Sequence, residues 1–188
     1  MTTGYQIKEQ SELHYLTLQV VEWVDIFTRI IYKEIIIDSL KFCQKNKGLQ
    51  IFGYVIMTNH IHLIANSVDG CLSDTLRDFK RFTSNKILKE IQENTQESRK
   101  DWMLKVFQNK AIQHSRNEKY QFWTHENHAI HLYTPKFTWE KLEYIHNNPV
   151  RAGIVQYPEH YLFSSARNYA ELDSSIDVII LDRIVKTY

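Results

Sequence analysis

The sequence has little proline and little glycine, three and five in 188 residues, and so leaves no room for a long low-complexity linker. Its only cysteines, Cys43 and Cys71, stand far apart without a C-x-x-C partner. That argues against a disulfide framework or a structural zinc site and suits a reducing compartment. No run approaches the roughly 20 apolar residues that span a bilayer, and the first ten residues, MTTGYQIKEQ, lack the basic-then-apolar order of a signal peptide. The expectation is a soluble, cytoplasmic protein with no membrane partner. An excess of either charge is also missing: 23 Lys and Arg face 22 Asp and Glu, for a formal +1. The whole chain therefore gives no case for a polyanion, but its charge is unevenly placed. Residues 77–119 hold 11 basic and 6 acidic residues, whereas residues 1–40 hold 3 and 6, so the middle of the chain is fit to meet a polyanion.

What is present is a 43% apolar fraction in a length that suits one compact domain. The stretch Phe52–Asn66, FGYVIMTNHIHLIAN, organises it. Two apolar runs flank Thr58-Asn59, and Asn tolerates positive φ, so the pattern predicts a β-hairpin with a tight connection. Strand side chains alternate, so His60 and His62 share one face while Ile61 and Leu63 point to the other. Two imidazoles on one face make a two-point grip for a divalent cation once a third ligand joins them.

Before the hairpin, Leu13–Phe27 reads as a first strand, central in the sheet, followed by a turn. A helix then carries Ile31, Ile35, Leu40 and Phe42 and stops at Asn46-Lys47-Gly48. After it, Ser73 is placed to cap a helix whose apolar side is Leu72, Leu76, Phe79 and Ile87. Its other side bears Arg77, Lys80, Arg81 and Ser84, a stripe that either faces solvent or follows phosphates. Helical character is expected to persist towards Ser98, with a short apolar segment at 101–110. Tyr120–Tyr133 reads as extended chain with loop, where His125, His128 and His131 are hydrogen-bonding residues before they are metal ligands. Thr138–Asn148 forms a helix with Trp139, Leu142 and Ile145 on the packed face and Glu140, Tyr144 and Asn148 on a polar one. Pro149 is expected to break that helix at Asn148, with Pro149-Val150-Arg151-Ala152-Gly153 as a place for it to restart. The acidic and apolar end after Tyr169 is expected to dock on the surface, as a tail at 171–188 on a core of about 13–170.

Five stretches in order, Met57–Ile64, Leu72–Ile87, Phe122–Ile130, Glu143–Val155 and Tyr161–Ala170, together resemble the single-tyrosine HUH transposases. Those enzymes move insertion sequences as single-stranded DNA, and the likeness, from about Tyr15 to Tyr169, is stronger still to their REP-associated tyrosine transposase relatives. The resemblance implies a single α/β domain with a central antiparallel sheet and helices on its faces. It also implies nuclease and strand-transfer chemistry: His60 and His62 as metal ligands, Tyr144 as nucleophile, and Asn148 as a polar third ligand. Mg²⁺ or Mn²⁺ is the metal and single-stranded DNA, with a hairpin beside the cleavage site, is the partner that it implies. Dimers with shared sites occur among mobile relatives, so a homodimer is among the assemblies expected. Thr58 stands where the family's turn has proline, and Trp123 falls in its Phe-Trp motif. A hairpin-binding regulator without cleavage, or an HUH replication initiator or relaxase, are the alternative readings.

Overall fold

The computed structural model describes residues 7–113 and 119–182. In chain order the elements are β1 (His14–Gln19), α1 (Ile30–Asn46), β2 (Leu49–Ile56), β3 (His60–Ser67), α2 (Leu72–Glu93), α3 (Lys100–Ile112), β4 (Ile130–His131), α4 (Pro135–Arg151) and α5 (Ala166–Tyr169). All strand pairs are antiparallel, in the order β2-β3-β1-β4, so β1 is internal as its apolar sequence predicts.

The alternation of β1 and β3 gives the sheet two unlike faces. Leu16, Leu18, Ile61, Leu63 and Ala65 are buried in the larger core with Ile36, Leu40, Leu76, Phe79 and Phe107 of α1, α2 and α3. The opposite face carries Tyr15, Val55 and Ile64, which pack with Leu142 and Ile145 of α4 in a smaller core. Helices therefore cover both faces. The contact between β2 and α4 is close: a Cβ on Gly53 would lie 2.6 Å from Leu142 Cδ1, so only glycine fits there without displacing that side chain.

Several local expectations are corrected by the packing. In α1 the buried residues are Tyr32, Lys33, Ile35, Ile36, Ile37, Ser39, Leu40 and Cys43, while Phe42 is exposed and Ile31 only partly covered. Apolar residues lie nearly all round this helix, so its sequence did not define which stripe faces the sheet. Gly48 takes φ 60° just past the helix end, the left-handed stop that glycine permits. Ser73 does not cap α2; it lies inside the first turn, and its N–H donates to the side-chain oxygen of Gln10, 2.9 Å away. A distant amide thus serves the helix end that the local sequence assigned to serine. The same helix stops at Glu93, where Asn94 Oδ1 accepts from the N–H of Gln96 at 2.9 Å and turns the chain before Ser98.

Pro149 does not break α4, which runs on to Arg151. A proline this near a helix end forfeits one backbone bond, and the last turn closes through Ala152 N–H to Asn148 O at 3.0 Å. The helix begins at Pro135, with Thr134 Oγ1 accepting from Phe137 N–H. Residues 163–165 run beside β2, with Ile56 N–H donating to Phe163 O at 2.9 Å and Ser165 N–H to Tyr54 O at 2.9 Å. The segment after Tyr169 is not merely laid on the surface, because Ile176 is fully buried in the larger core. Among the described residues no helix is long and apolar enough to cross a membrane.

Candidate active site

His60 and His62 open β3 on the face covered by α4, and their ring centroids are 4.7 Å apart. The connection before them is Met57-Thr58-Asn59, closed by Met57 N–H to His60 O at 2.9 Å. Asn59 has no positive φ. Its contribution is its side chain, whose Oδ1 lies 2.7 Å from His60 Nδ1. The register Thr17↔His62 sets β1 beside the second imidazole. There two hydroxyls converge on one ring nitrogen: Tyr15 Oη is 2.9 Å and Thr17 Oγ1 3.0 Å from His62 Nδ1. Tyr15 also stacks on His62 at 5.2 Å.

From α4, Tyr144 reaches the same place. Its ring meets His62 edge-on at 5.6 Å and Tyr15 at 6.3 Å, and its side chain keeps 40% relative exposure for the residue. Leu142 and Ile145 are buried on either side of it, which fixes the helix rotation that turns Tyr144 to the histidines. Two cations flank it. Arg151 Cζ lies 4.3 Å from the Tyr144 ring centroid and Nη2 of the same residue donates to Tyr144 O at 2.9 Å. Lys141 Nζ lies 5.9 Å from that ring and 5.0 Å from the ring of Tyr15.

Burial, and secondarily the neighbouring His60, pushes the His62 imidazole down to about 3, and burial lowers His60 as well. Both rings are therefore neutral at pH 7 and carry a lone pair, as a metal ligand must. Burial also pushes the Tyr15 phenol up to about 12, so this tyrosine stays protonated as a hydrogen-bonding neighbour of His62. Asn148 follows Tyr144 by one helical turn, and its Nδ2 is buried without a hydrogen-bond partner. Turning its carboxamide over breaks no Nδ2 bond and brings the oxygen to that position, which suits a cation ligand. Among the described residues no three His, Cys, Asp or Glu side chains gather as a ligand set. Two neutral imidazoles side by side on one face suit a divalent ion with open positions.

The histidines of 120–133 lie elsewhere. His131 stacks on His14 at 5.3 Å, and His128 Nδ1 is 4.0 Å from Glu126. Trp123 is buried and donates from Nε1 to Thr83 Oγ1 at 3.0 Å, tying this segment to α2.

The cationic stripe of α2 lines a cleft of about 300 Å³ in which Arg77, Lys80, Arg81 and Ser84 meet Thr124 and Asn127. Its members differ in kind. Lys80 is turned inward: Nζ donates to Thr124 O at 2.7 Å and to Asn127 Oδ1 at 2.8 Å, and burial pushes the ammonium down to about 8. Arg77 is paired with Asp74 at 2.6 Å and Asp78 at 3.3 Å. Ser84 Oγ donates to Arg81 O at 3.0 Å, and Arg81 itself is exposed. Lys80 thus shapes the cleft wall, while Arg77, with its charge paired, and Arg81 are both exposed.

Sequence reasoning missed Tyr15, Thr17, Lys141 and Arg151. For the first two a signal existed: in HYLTLQ, Tyr15, Thr17 and Gln19 alternate with Leu16 and Leu18, a polar face on an otherwise apolar strand. It also missed His146, whose Nε2 lies 2.9 Å from Ser165 Oγ and which joins α4 to the C-terminal segment.

The sequence matches no protein-family model and none of the curated proteins. The structure is similar to that of the REP-associated tyrosine transposase bound to a REP hairpin. The TM-score is 0.64 at 15% identity, over 99% of this chain and 100% of that one. At so low an identity the likeness concerns the backbone, and the chain shares along almost its whole length the fold of a REP-associated tyrosine transposase.

Proposed function

We propose that the protein cleaves and rejoins single-stranded DNA as an HUH-type transposase, with Tyr144 as nucleophile. One observation carries the reading: Tyr144 from α4 meets His62 from β3 at 5.6 Å, beside His60, although 82 residues separate the tyrosine from the second histidine. The shared fold supports it. The solved relative holds a REP hairpin, which favours a strand with a hairpin beside the cleavage site as partner here.

His60, His62 and Asn148 would hold the divalent ion, Mg²⁺ or Mn²⁺, which when bound neutralises charge at the scissile phosphate, worth on the order of several kcal/mol. The chain's own residues do the rest. The Tyr144 phenol oxygen bonds to phosphorus as the bond from phosphorus to the 3′ oxygen breaks. The phenolic proton passes to solvent and the departing 3′ oxygen gains one. The products are a 5′-phosphotyrosine and a free 3′-OH, and because the phosphate bond is exchanged rather than hydrolysed, rejoining needs no ATP. Lys141 and Arg151 flank the ring where negative charge gathers. Tyr15 and Thr17 hold the His62 ring in place through Nδ1.

The test uses end-labelled single-stranded DNA from the flanks of the protein's own gene, with Mn²⁺, followed by peptide mapping of any covalent adduct. The parent protein is expected to carry the nucleotide on Tyr144, and Tyr144→Phe to bind the DNA and form no adduct. An adduct on another tyrosine, such as the exposed Tyr133 or Tyr157, overturns the assignment. Binding of hairpin DNA by the parent with no adduct or cut product favours instead a hairpin-binding regulator.

A further inference from the structure

Asp25 lies outside the sheet, in the turn between β1 and α1, yet it is linked to the candidate metal face by one side chain. Asn59 Nδ2 lies 2.8 Å from Asp25 Oδ1 and 3.4 Å from Trp23 O. A carboxylate and a backbone carbonyl accept only, so the nitrogen end of the Asn59 amide must face them. Flipping it would set oxygen against two oxygens. The other end, Oδ1, therefore faces His60 Nδ1 at 2.7 Å, and it too can only accept. His60 must then carry its proton on Nδ1, which leaves Nε2 with the lone pair.

The elements that hold Asp25 are themselves fixed. Arg99 Nη1 donates to Asp25 O at 2.9 Å and to Thr28 Oγ1 at 3.1 Å. Its Nε pairs at 3.0 Å with Glu97, a buried carboxylate that also receives Arg29 at 2.8 Å and Tyr32 Oη at 3.1 Å. Burial raises the Glu97 carboxyl, but the hydrogen bonds from Arg99 and Tyr32 outweigh it and hold the group below its ordinary value, so it is a carboxylate. Trp23, which supplies the second acceptor, stands at φ 54° after Glu22 at φ 52°, and its ring meets His60 edge-on at 6.1 Å. Two consecutive non-glycine residues in the left-handed region persist only where the surroundings hold them. Here the Glu22 side chain pairs with Lys110 of α3 at 2.7 Å.

We propose that Asp25 and Asn59 are positioning residues that set the tautomer of His60, so that Nε2 is offered to a cation before any cation arrives. Outer partners of this kind orient a ligating imidazole and raise its basicity, and losing one costs about 10- to 100-fold in metal affinity. Tyr15 and Thr17 hold His62 on the same face, but a hydroxyl both donates and accepts, so that arrangement does not determine the proton's place. Only the His60 arm is determined by its acceptors. The inference concerns the protein without metal, and only its consequence for affinity rests on the metal reading above.

The primary test needs no substitution: long-range ¹H–¹⁵N correlation of the imidazoles in the metal-free parent protein. His60 is expected to show Nδ1 in the protonated and Nε2 in the unprotonated shift range. A His60 protonated on Nε2 overturns the proposal. In Asn59→Ala the two shifts should move towards the averaged values of a mixed tautomer, and Mn²⁺ affinity by titration calorimetry should fall about 10- to 100-fold. Asp25→Ala should move both in the same direction by less, since Trp23 O remains. Unchanged shifts in Asn59→Ala, with an unfolding midpoint like the parent's, would also overturn it. Absence of DNA cleavage by a parent protein with the expected shifts would remove the transposase reading and leave the positioning pair standing.

Discussion

The two faces of the sheet are built from the same strands and meet different surroundings. On one, Leu16, Leu18, Ile61, Leu63 and Ala65 are wholly buried under α1, α2 and α3. On the other, Tyr15 and His62 meet Tyr144 of α4 with Thr17 and His60 beside them, and only part of that face is apolar. Adjacent residues therefore have different surroundings: Leu63 lies in the larger core and His62 in the proposed site. The period of two lets one strand serve both without a compromise at any single position.

Substituting these neighbours tests that division. His62→Ala should abolish the covalent adduct while lowering stability by only about 1–2 kcal/mol, the cost of depriving the Tyr15 and Thr17 hydroxyls of a partner. Leu63→Ala should do the reverse. Its cost is about 2–5 kcal/mol of folding stability, with adduct formed per folded molecule unchanged. Denaturant unfolding and adduct yield, measured side by side, check both. An equal loss of adduct in folded Leu63→Ala would show that the faces are not independent.

Gly53 offers a way to couple them. It is on β2, but a Cβ there meets Leu142 of the helix that carries Tyr144 at 2.6 Å. Gly53→Ala should cost about 1–3 kcal/mol through overpacking. If the added methyl is accommodated by moving α4, adduct yield should fall with it, a loss that Leu63→Ala does not show.

The smallest effect is expected in the α2 cleft, away from both faces. Arg81→Glu should reduce the slope of log affinity against log salt for single-stranded DNA by about 0.7 for the phosphate contact removed. Lys80→Glu should act differently, destabilising the 124–127 loop whose carbonyl and amide oxygens its ammonium serves. A salt slope identical in parent and Arg81→Glu would return this stripe to a solvated helix surface.

Much of this was legible in the sequence because it depends on local periodicity. Alternation in His60-Ile61-His62-Leu63 is a property of any strand. The spacing of Leu142, Tyr144, Ile145 and Asn148 is likewise a property of any helix, so which side chains share a face followed without knowing the fold. Other local rules were outvoted by contacts made elsewhere. Pro149 was tolerated because the helix had almost ended, and Gln10 took the capping role offered to Ser73.

What the sequence alone determined, then, is composition of each face and the identity of the two imidazoles and the tyrosine that could act together. Only the tertiary structure decided who stands beside them. Tyr15 reaches His62 through a strand register that pairs Thr17 with it across 45 residues. Asp25 reaches His60 through an amide in a turn, and Lys80 turns inward because acceptors from 44 to 47 residues away surround it. Such partners come from chain crossings, and periodicity carries no information about them, since it fixes the direction of a side chain but not what lies in that direction.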